Sequence, residues 1–269
     1  MSTHQNLVSD SELVEETIRM LRESRSGSAA RISASFIADR ILQIPDLDDA
    51  LAAMVVSEMI KDDARLRLGT DGTIELLCPN AETRPLCETD FVIVDVETTG
   101  AKTPPCRITE IGAYRVRKDQ IIDEFETLIN PETPIPPFIA RLTGITDEMV
   151  RDAPRFGEVV DDWLRFAGHS VLVAHNASFD VRFLNHEIAR VFSERRMGNE
   201  HLCTVKLSRR VVPGLQNYRL HTVAEHFDVP IYNRHRAAGD SRATAEVFIH
   251  LLDLLHRNNV RTIAEARRF

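Results

Sequence analysis

Apolar and polar residues recur along this chain with two different periods, and the change between them divides it. Leu13, Val14, Thr17, Ile18 and Leu21 follow the three-and-four spacing of a helix that buries one face. A breaker cluster, Ser24 to Ser28, ends it. A second helix is expected over about 33–42, with Ser33 or Ser35 as its N-cap. A third opens at Asp48-Asp49, where the helix dipole favours acids, and carries Leu51, Met54, Val55, Met59 and Ile60. The period then drops to two in 65–68 and 73–76. These runs flank Gly69-Thr70-Asp71-Gly72, the pattern of a hairpin with an Asp-Gly turn. Three helices and a hairpin predict a winged-helix-like domain over residues 1–77. Residues 78–89, with Pro79, Asn80 and Pro85, read as a linker.

From residue 90 the pattern is different. Phe91-Val92-Ile93-Val94-Asp95-Val96 is almost continuously apolar, as a strand covered on both faces requires. Two more strands are expected at about 107–117 and 120–129, turning at Lys118-Asp119. A proline-rich loop (Pro131, Pro134, Pro136, Pro137) leads into a short helix and Leu142-Thr143-Gly144-Ile145. A helix at about 156–166 precedes a buried strand at 171–174. A helix over 179–191, a short strand near Leu202-Cys203 and helices at 205–211 and 220–227 follow. The last helix is expected over 239–256, with Ala243, Val247, Phe248, Leu251 and Leu252 on its apolar face. A meander followed by strand–helix alternation predicts an α/β domain over residues 90–269, a mixed sheet with helices on its faces.

Composition adds limits. The chain has 269 residues, 43% of them apolar, enough for a packed core. No apolar run approaches the ~20 residues that span a bilayer. The first residues are acidic and polar where a secretory signal would be apolar, so a cytoplasmic location with no membrane partner is expected. Cys78, Cys87, Cys106 and Cys203 lack zinc-knuckle spacing and read as reduced thiols. The net charge is −8, but residues 1–89 hold 9 Lys+Arg against 16 Asp+Glu, and the remainder holds 24 against 25. The acid excess therefore lies outside the second segment. The third helix of the first segment is acidic too, which points to protein contact as well as to the DNA contact of a wing.

Three places in the second segment carry candidate chemistry. Asp95 and Glu97, two apart on one strand, face the same way at the end of an apolar run. Charge there is expensive without a partner. Asp180 follows a second buried strand in Asn176-Ala177-Ser178-Phe179-Asp180. His235 precedes Asp240 by five residues in the loop before the last helix. Each alone admits a plain reading as a solvated acid, a helix cap or a surface histidine. Together they supply four carboxylates and one imidazole, each from a strand end or a helix start. Oxygen donors without thiolates suit hard divalent cations, not zinc. Two such cations can clamp the attacking and leaving oxygens of a phosphodiester displacement, with an imidazole to take a proton from water.

Asp95-Val96-Glu97-Thr98-Thr99-Gly100, Asn176-x-x-Phe179-Asp180 and His235-x4-Asp240 resemble the three exonuclease motifs of the DEDDh family, that of the epsilon proofreading subunit of bacterial DNA polymerase III. Leu142-Thr143-Gly144-Ile145-Thr146 and Val173-Ala174-His175-Asn176 extend the resemblance, which covers about 90–255. It implies a ribonuclease-H-like mixed five-stranded sheet and a 3′→5′ exonuclease. It also implies two Mg2+ or Mn2+ ions held by Asp95, Glu97, Asp180 and Asp240, with Asp95 bridging and His235 as general base. Thr98 and Thr99 would line the pocket for the 3′-terminal nucleotide. Phe179 and Leu142 would pack on its base or sugar, and Asn176 would support the site. The implied substrate is single-stranded DNA or frayed 3′ ends, and the products are nucleoside 5′-monophosphates.

Arg195-Arg196, Lys206, Arg209-Arg210, Arg219, Arg234 and Arg236 are candidate phosphate contacts along that strand. The tail after the last helix is short for a polymerase-binding segment, so a role in repair or end trimming is expected. Other readings stand beside this one. The same family includes RNA-directed enzymes; a retired exonuclease fold can serve as a nucleic-acid-binding scaffold; and the acidic N-terminal domain can recruit a protein partner.

Overall fold

Hydroxyl and carboxylate caps start the helices of the first segment where the sequence places them. The computed structural model describes residues 6–23, 31–61, 63, 65–77 and 84–269, so the 24–28 breaker cluster and the first half of the expected linker, Cys78 included, lie outside the described residues. The described chain divides into two compact units, one of residues 6–77 with 192–198, the other of 84–191 with 199–269.

The first unit contains β1 (Leu7–Ser9), α1 (Glu12–Glu23), β2 (Arg31–Ser33), α2 (Ala34–Arg40), α3 (Asp49–Ile60), β3 (Leu66–Leu68) and β4 (Thr73–Leu76). The Ser33 hydroxyl accepts the Phe36 N–H at 3.2 Å, and the Asp48 carboxylate accepts that of Leu51 at 2.9 Å. Each removes one of the orphan donors of a helix start. β2, β4 and β3 form an antiparallel sheet in that order. Val14, Ile18, Leu21, Ile37, Val56 and Ile74 pack as its apolar core. β1 pairs antiparallel with β9 (Arg195–Met197), a strand supplied from far along the chain. β1, β2 and β9 have three residues each and, unlike β3, no Asp-Gly turn beside them, and none was expected.

That pairing bears on one expectation. Arg195 and Arg196 are strand residues here, and Arg196 forms ion pairs with Asp10 and Glu15, so it is committed to the first unit.

The second unit is built on β5 (Phe91–Thr98), β6 (Ile108–Arg117), β7 (Gln120–Leu128), β8 (Val171–Ala174) and β10 (His201–Cys203), in sheet order β10-β8-β5-β6-β7. β5, β6 and β7 run antiparallel as a meander; β8 and β10 lie parallel to β5 and its continuation. Around the sheet are α4 (Pro137–Thr143), α5 (Asp147–Val150), α6 (Phe156–Ala167), α7 (Ala177–Val191), α8 (Thr204–Val211), α9 (Leu220–His226), α10 (Ala237–Arg257) and α11 (Ile263–Arg268). α10 packs on β5 and β6, and the Phe248 ring meets the Phe91 ring edge-on at 4.8 Å. Among the described residues no helix is long and apolar enough to cross a membrane.

Two helices start earlier than their periodicity indicates. α10 begins at Ala237, and α7 begins at Ala177, which puts Asp180 in its first turn. α11 was not expected; its capping box, Thr262 with Glu265, lies beyond the apolar periodicity.

Candidate active site

Alternation along β5 sets the first half of the site. Val94 and Val96 are buried, while Asp95 and Glu97 project from the other face at the strand's end. A register shift between Glu97 and Thr98 follows, with Thr98 opposite Ile108 of β6. Thr98 donates its hydroxyl to the Gly100 carbonyl at 2.8 Å. The Thr99 hydroxyl accepts the Arg107 N–H at 3.0 Å. Both threonines are buried, and their side chains brace this loop.

Two helices bring the other acids. Asp180 is 2% exposed, and its Oδ1 accepts the Val96 N–H at 3.2 Å, fixing α7 to β5 between the two strand carboxylates. Asp240 lies in the first turn of α10. Its Oδ2 accepts the N–H of His235 at 3.1 Å, whereas its buried Oδ1 has no hydrogen-bond partner. One oxygen each of Asp95, Glu97 and Asp240 lie within 4.8 Å of one another. Asp180 is joined to this group through Val96 and through its charge, which acts on both Asp95 and Glu97.

Two glycines allow this approach. A Cβ on Gly112, the residue opposite Asp95 on β6, would come 2.3 Å from the backbone of Ala237. A Cβ on Gly239 would come 1.9 Å from the Tyr232 carbonyl oxygen. The first lets α10 reach the sheet, and the second lets the 232–236 loop fold back on α10. His235 ends that loop with φ +62, in the left-handed region.

The electrostatics are one-sided. Burial, then Asp180, Glu97 and Asp240, push the Asp95 carboxyl well above the usual range. Burial, then Asp240, Glu110 and Asp180, raise Glu97 to about 8, with Arg236 opposing. Burial raises Asp180 to about 8 against the N–H bonds it accepts. Asp240 is raised by burial and held back by the His235 N–H. Crowded, desolvated carboxylates with an unpartnered oxygen are a site short of positive charge. Hard divalent cations answer that shortage with the donor type present, and the residues fit them.

The remaining expected residues sit at different distances from this chemistry. Asn176, with φ +80, is exposed at the turn into α7. The Phe179 ring lies 4.8 Å from the Phe183 ring, half-buried. Leu142 on α4 is 53% exposed. A cleft of about 340 Å³ reaches His235 and Asp240, with Asn176, Tyr218, Arg219 and Arg234 on its walls. Of the candidate phosphate contacts, Lys206, Arg209 and Arg219 are exposed. Arg210 donates to the Arg268 carbonyl at 2.6 Å. Arg236 is committed elsewhere, to Glu110.

Sequence reasoning missed three residues here. Glu110 is fully buried on β6 and takes the Arg236 guanidinium. Glu187 of α7, 1% exposed, takes Arg107 through Nε at 2.6 Å and Nη2 at 2.9 Å, tying α7 to the start of β6. His175 spans Thr204 and the Tyr218 carbonyl, and burial lowers its pKa to about 4. The signal for Glu110 was legible: a lone acid inside Ile108-Thr109-Glu110-Ile111-Gly112-Ala113. Its partner, 126 residues away, was not.

Comparison with known proteins places the chain in a family. The family described as Exonuclease matches residues 92–248. A DNA polymerase III PolC-type of Caldanaerobacter subterraneus subsp. tengcongensis is 42% identical over 184 residues, 68% of this chain and 13% of that protein. A putative bifunctional exonuclease/endonuclease protein of Mycobacterium tuberculosis is 44% identical over 197 residues, 70% of this chain and 30% of that protein. Against both, the chain spans less than a third of the relative's length. DNA polymerase III subunit epsilon of Aquifex aeolicus is 36% identical over 170 residues, 63% of this chain and 84% of that protein. Among solved structures, exonuclease X in complex with 5′ overhanging duplex DNA superposes with a TM-score of 0.52 at 30% identity, over 66% of this chain and 98% of that one. The nuclease domain of 3′hExo, a DEDDh family member bound to rAMP, shares the fold with a TM-score of 0.51 at 21% identity, over 63% of this chain and 94% of that one.

Proposed function

The chain belongs to the exonuclease family, and from that premise we propose that it removes nucleotides from the 3′ ends of single-stranded or frayed DNA. Nucleoside 5′-monophosphates are released, in DNA repair or end trimming in the cytoplasm. Asp95, Glu97, Asp180 and Asp240 would hold two Mg2+ or Mn2+ ions, and His235 would be the general base. The observation that carries this reading is the convergence of Asp95, Glu97 and Asp240 beside His235.

When bound, the cations would lower the pKa of the attacking water and neutralise charge on the attacking and leaving oxygens. The chain's own residues do the rest. The His235 imidazole, on the cleft next to Asp240, takes the proton of the water that attacks phosphorus. The bond to the leaving 3′ oxygen breaks on the opposite side. Phe179 and Leu142 pack on the terminal base or sugar, and the braced Thr98-Thr99 loop, with Asn176, shapes the pocket that ends the strand. Unpaired ends are favoured because fraying a duplex costs a few kcal/mol. DNA is preferred over RNA as substrate on the strength of the DNA polymerase relatives.

Residues 1–77 would form a winged-helix-like domain, 78–89 a linker whose last residues, 84–89, pack with the second unit, and 90–269 the exonuclease domain, apart from the 192–198 segment that sits with the first unit. α3 opens on Asp49 and carries Glu58, with Leu51 and Met54 exposed. That face suits a protein partner better than a phosphate backbone.

The test is a time course on 5′-labelled single-stranded DNA and its RNA counterpart, comparing wild type with Asp95→Ala in magnesium, manganese and chelator. A metal-dependent ladder shortening from the 3′ end, faster on DNA and absent in the variant, is expected. Faster shortening of RNA would move the substrate to the other nucleic acid. No shortening of either strand would overturn the reading.

A further inference from the structure

A fifth carboxylate beside the four needs a role. Glu110 is fully buried on β6, directly across the ladder from Glu97. Its oxygens turn to the start of α10 instead of joining the group that converges. Arg236 Nε lies 3.0 and 3.1 Å from its two oxygens, Arg236 Nη2 donates to Oε1 as well, and the Ala237 N–H donates to Oε2 at 2.7 Å. Ala237 is the first residue of α10 and Arg236 is its N-cap. One carboxylate therefore takes an orphan N–H of the helix start and the guanidinium of the residue before it.

The two groups assigned to chemistry flank this clasp. His235 is the neighbour of Arg236, and Asp240 lies three residues beyond Ala237. The His235 N–H and Asp240 Oδ2 close the loop between them at 3.1 Å. Gly112, two residues along β6, admits the Ala237 backbone against the strand. The planar guanidinium fixes direction as well as distance, which a point charge does not.

We propose that Glu110 and Arg236 are positioning residues that set His235 and Asp240 against Asp95 and Glu97. This rests on the reading of His235 and Asp240 given above. Arg236 then serves the site through Glu110 and not by holding a substrate phosphate.

The test compares Glu110→Gln and Arg236→Lys with wild type in the full chain. It reads kcat and KM on single-stranded DNA, and manganese binding by calorimetry. Glu110→Gln should lower kcat about tenfold or more, because rate is sensitive to ångström-scale misplacement, while KM stays within about twofold. Manganese affinity should fall about fivefold as Asp240 loses its fixed place. Arg236→Lys keeps the charge without the fork, so it should stay folded by circular dichroism and show the same pattern, about threefold in kcat. It decides the matter where Glu110→Gln does not fold. A wild-type kcat, a change in KM alone or an unaltered manganese affinity in a folded variant overturns the proposal. If wild type itself degrades nothing, the functional reading fails separately, and manganese binding still tests the placement of Asp240.

Discussion

The two units bury their charges in opposite ways. In the first, Asp63 is 3% exposed but fully answered: Arg65 donates to both its oxygens at 2.9 and 2.6 Å, and the Ser9 N–H adds a bond at 3.2 Å. Around it the core is aliphatic. In the second, Asp95, Glu97, Asp180 and Asp240 crowd one strand end, and Arg236, the cation that acts on Glu97, is already held by Glu110. A buried acid with its own cation is a structural joint. Crowded, desolvated acids that outnumber their cations mark a place built for something the chain does not itself contain.

Breaking each kind of arrangement should separate the two roles. Asp95→Ala should lower kcat about a thousandfold or more, about 4 kcal/mol of barrier, with no loss of thermal stability in chelator. His235→Ala should cost about a hundredfold in kcat and leave manganese affinity intact, as calorimetry can check. Arg65→Ala strands Asp63 and should destabilise the first unit by about 3 kcal/mol in a denaturant titration, with kcat unchanged.

pH sharpens the contrast further. Glu97 titrates at about 8 in the folded chain, against an ordinary value of 4.5. The fold therefore binds the extra proton between those values, and metal-free stability should decline as pH rises from 4.5 to about 8 and level off above. Glu97→Gln should raise the chelated protein's stability at pH 7.5 by about 2 kcal/mol, and magnesium should stabilise wild type more at high pH than at low. The smallest effect belongs to the surface: Arg67→Ala, which removes an exposed partner of Glu75, should shift stability by about 0.5 kcal/mol or less.

Much of the second unit was written locally. The apolar run 91–96 could be little else than a central strand, and Asp95 and Glu97 share a face because strand residues two apart must. The caps at Ser33 and Asp48 and the hairpin at 69–72 are local too, depending only on neighbours within four residues. The short strands β1, β2 and β9 were not legible, because three residues with no turn signal beside them carry no period and β1 meets β9 far along the chain, Leu7 opposite Met197.

The sequence by itself determined which residue types make up the candidate site, their order and the elements that bear them, since periodicity and capping act over a few residues. Only the tertiary structure decided how closely three acids from β5 and α10 approach, which depends on a missing Cβ at Gly112 and another at Gly239. It alone decided that Arg236 pairs with Glu110 and that Arg196 pairs with Asp10 and Glu15. Long-range pairing has no local signature: a guanidinium looks the same in sequence whatever carboxylate the fold brings to it.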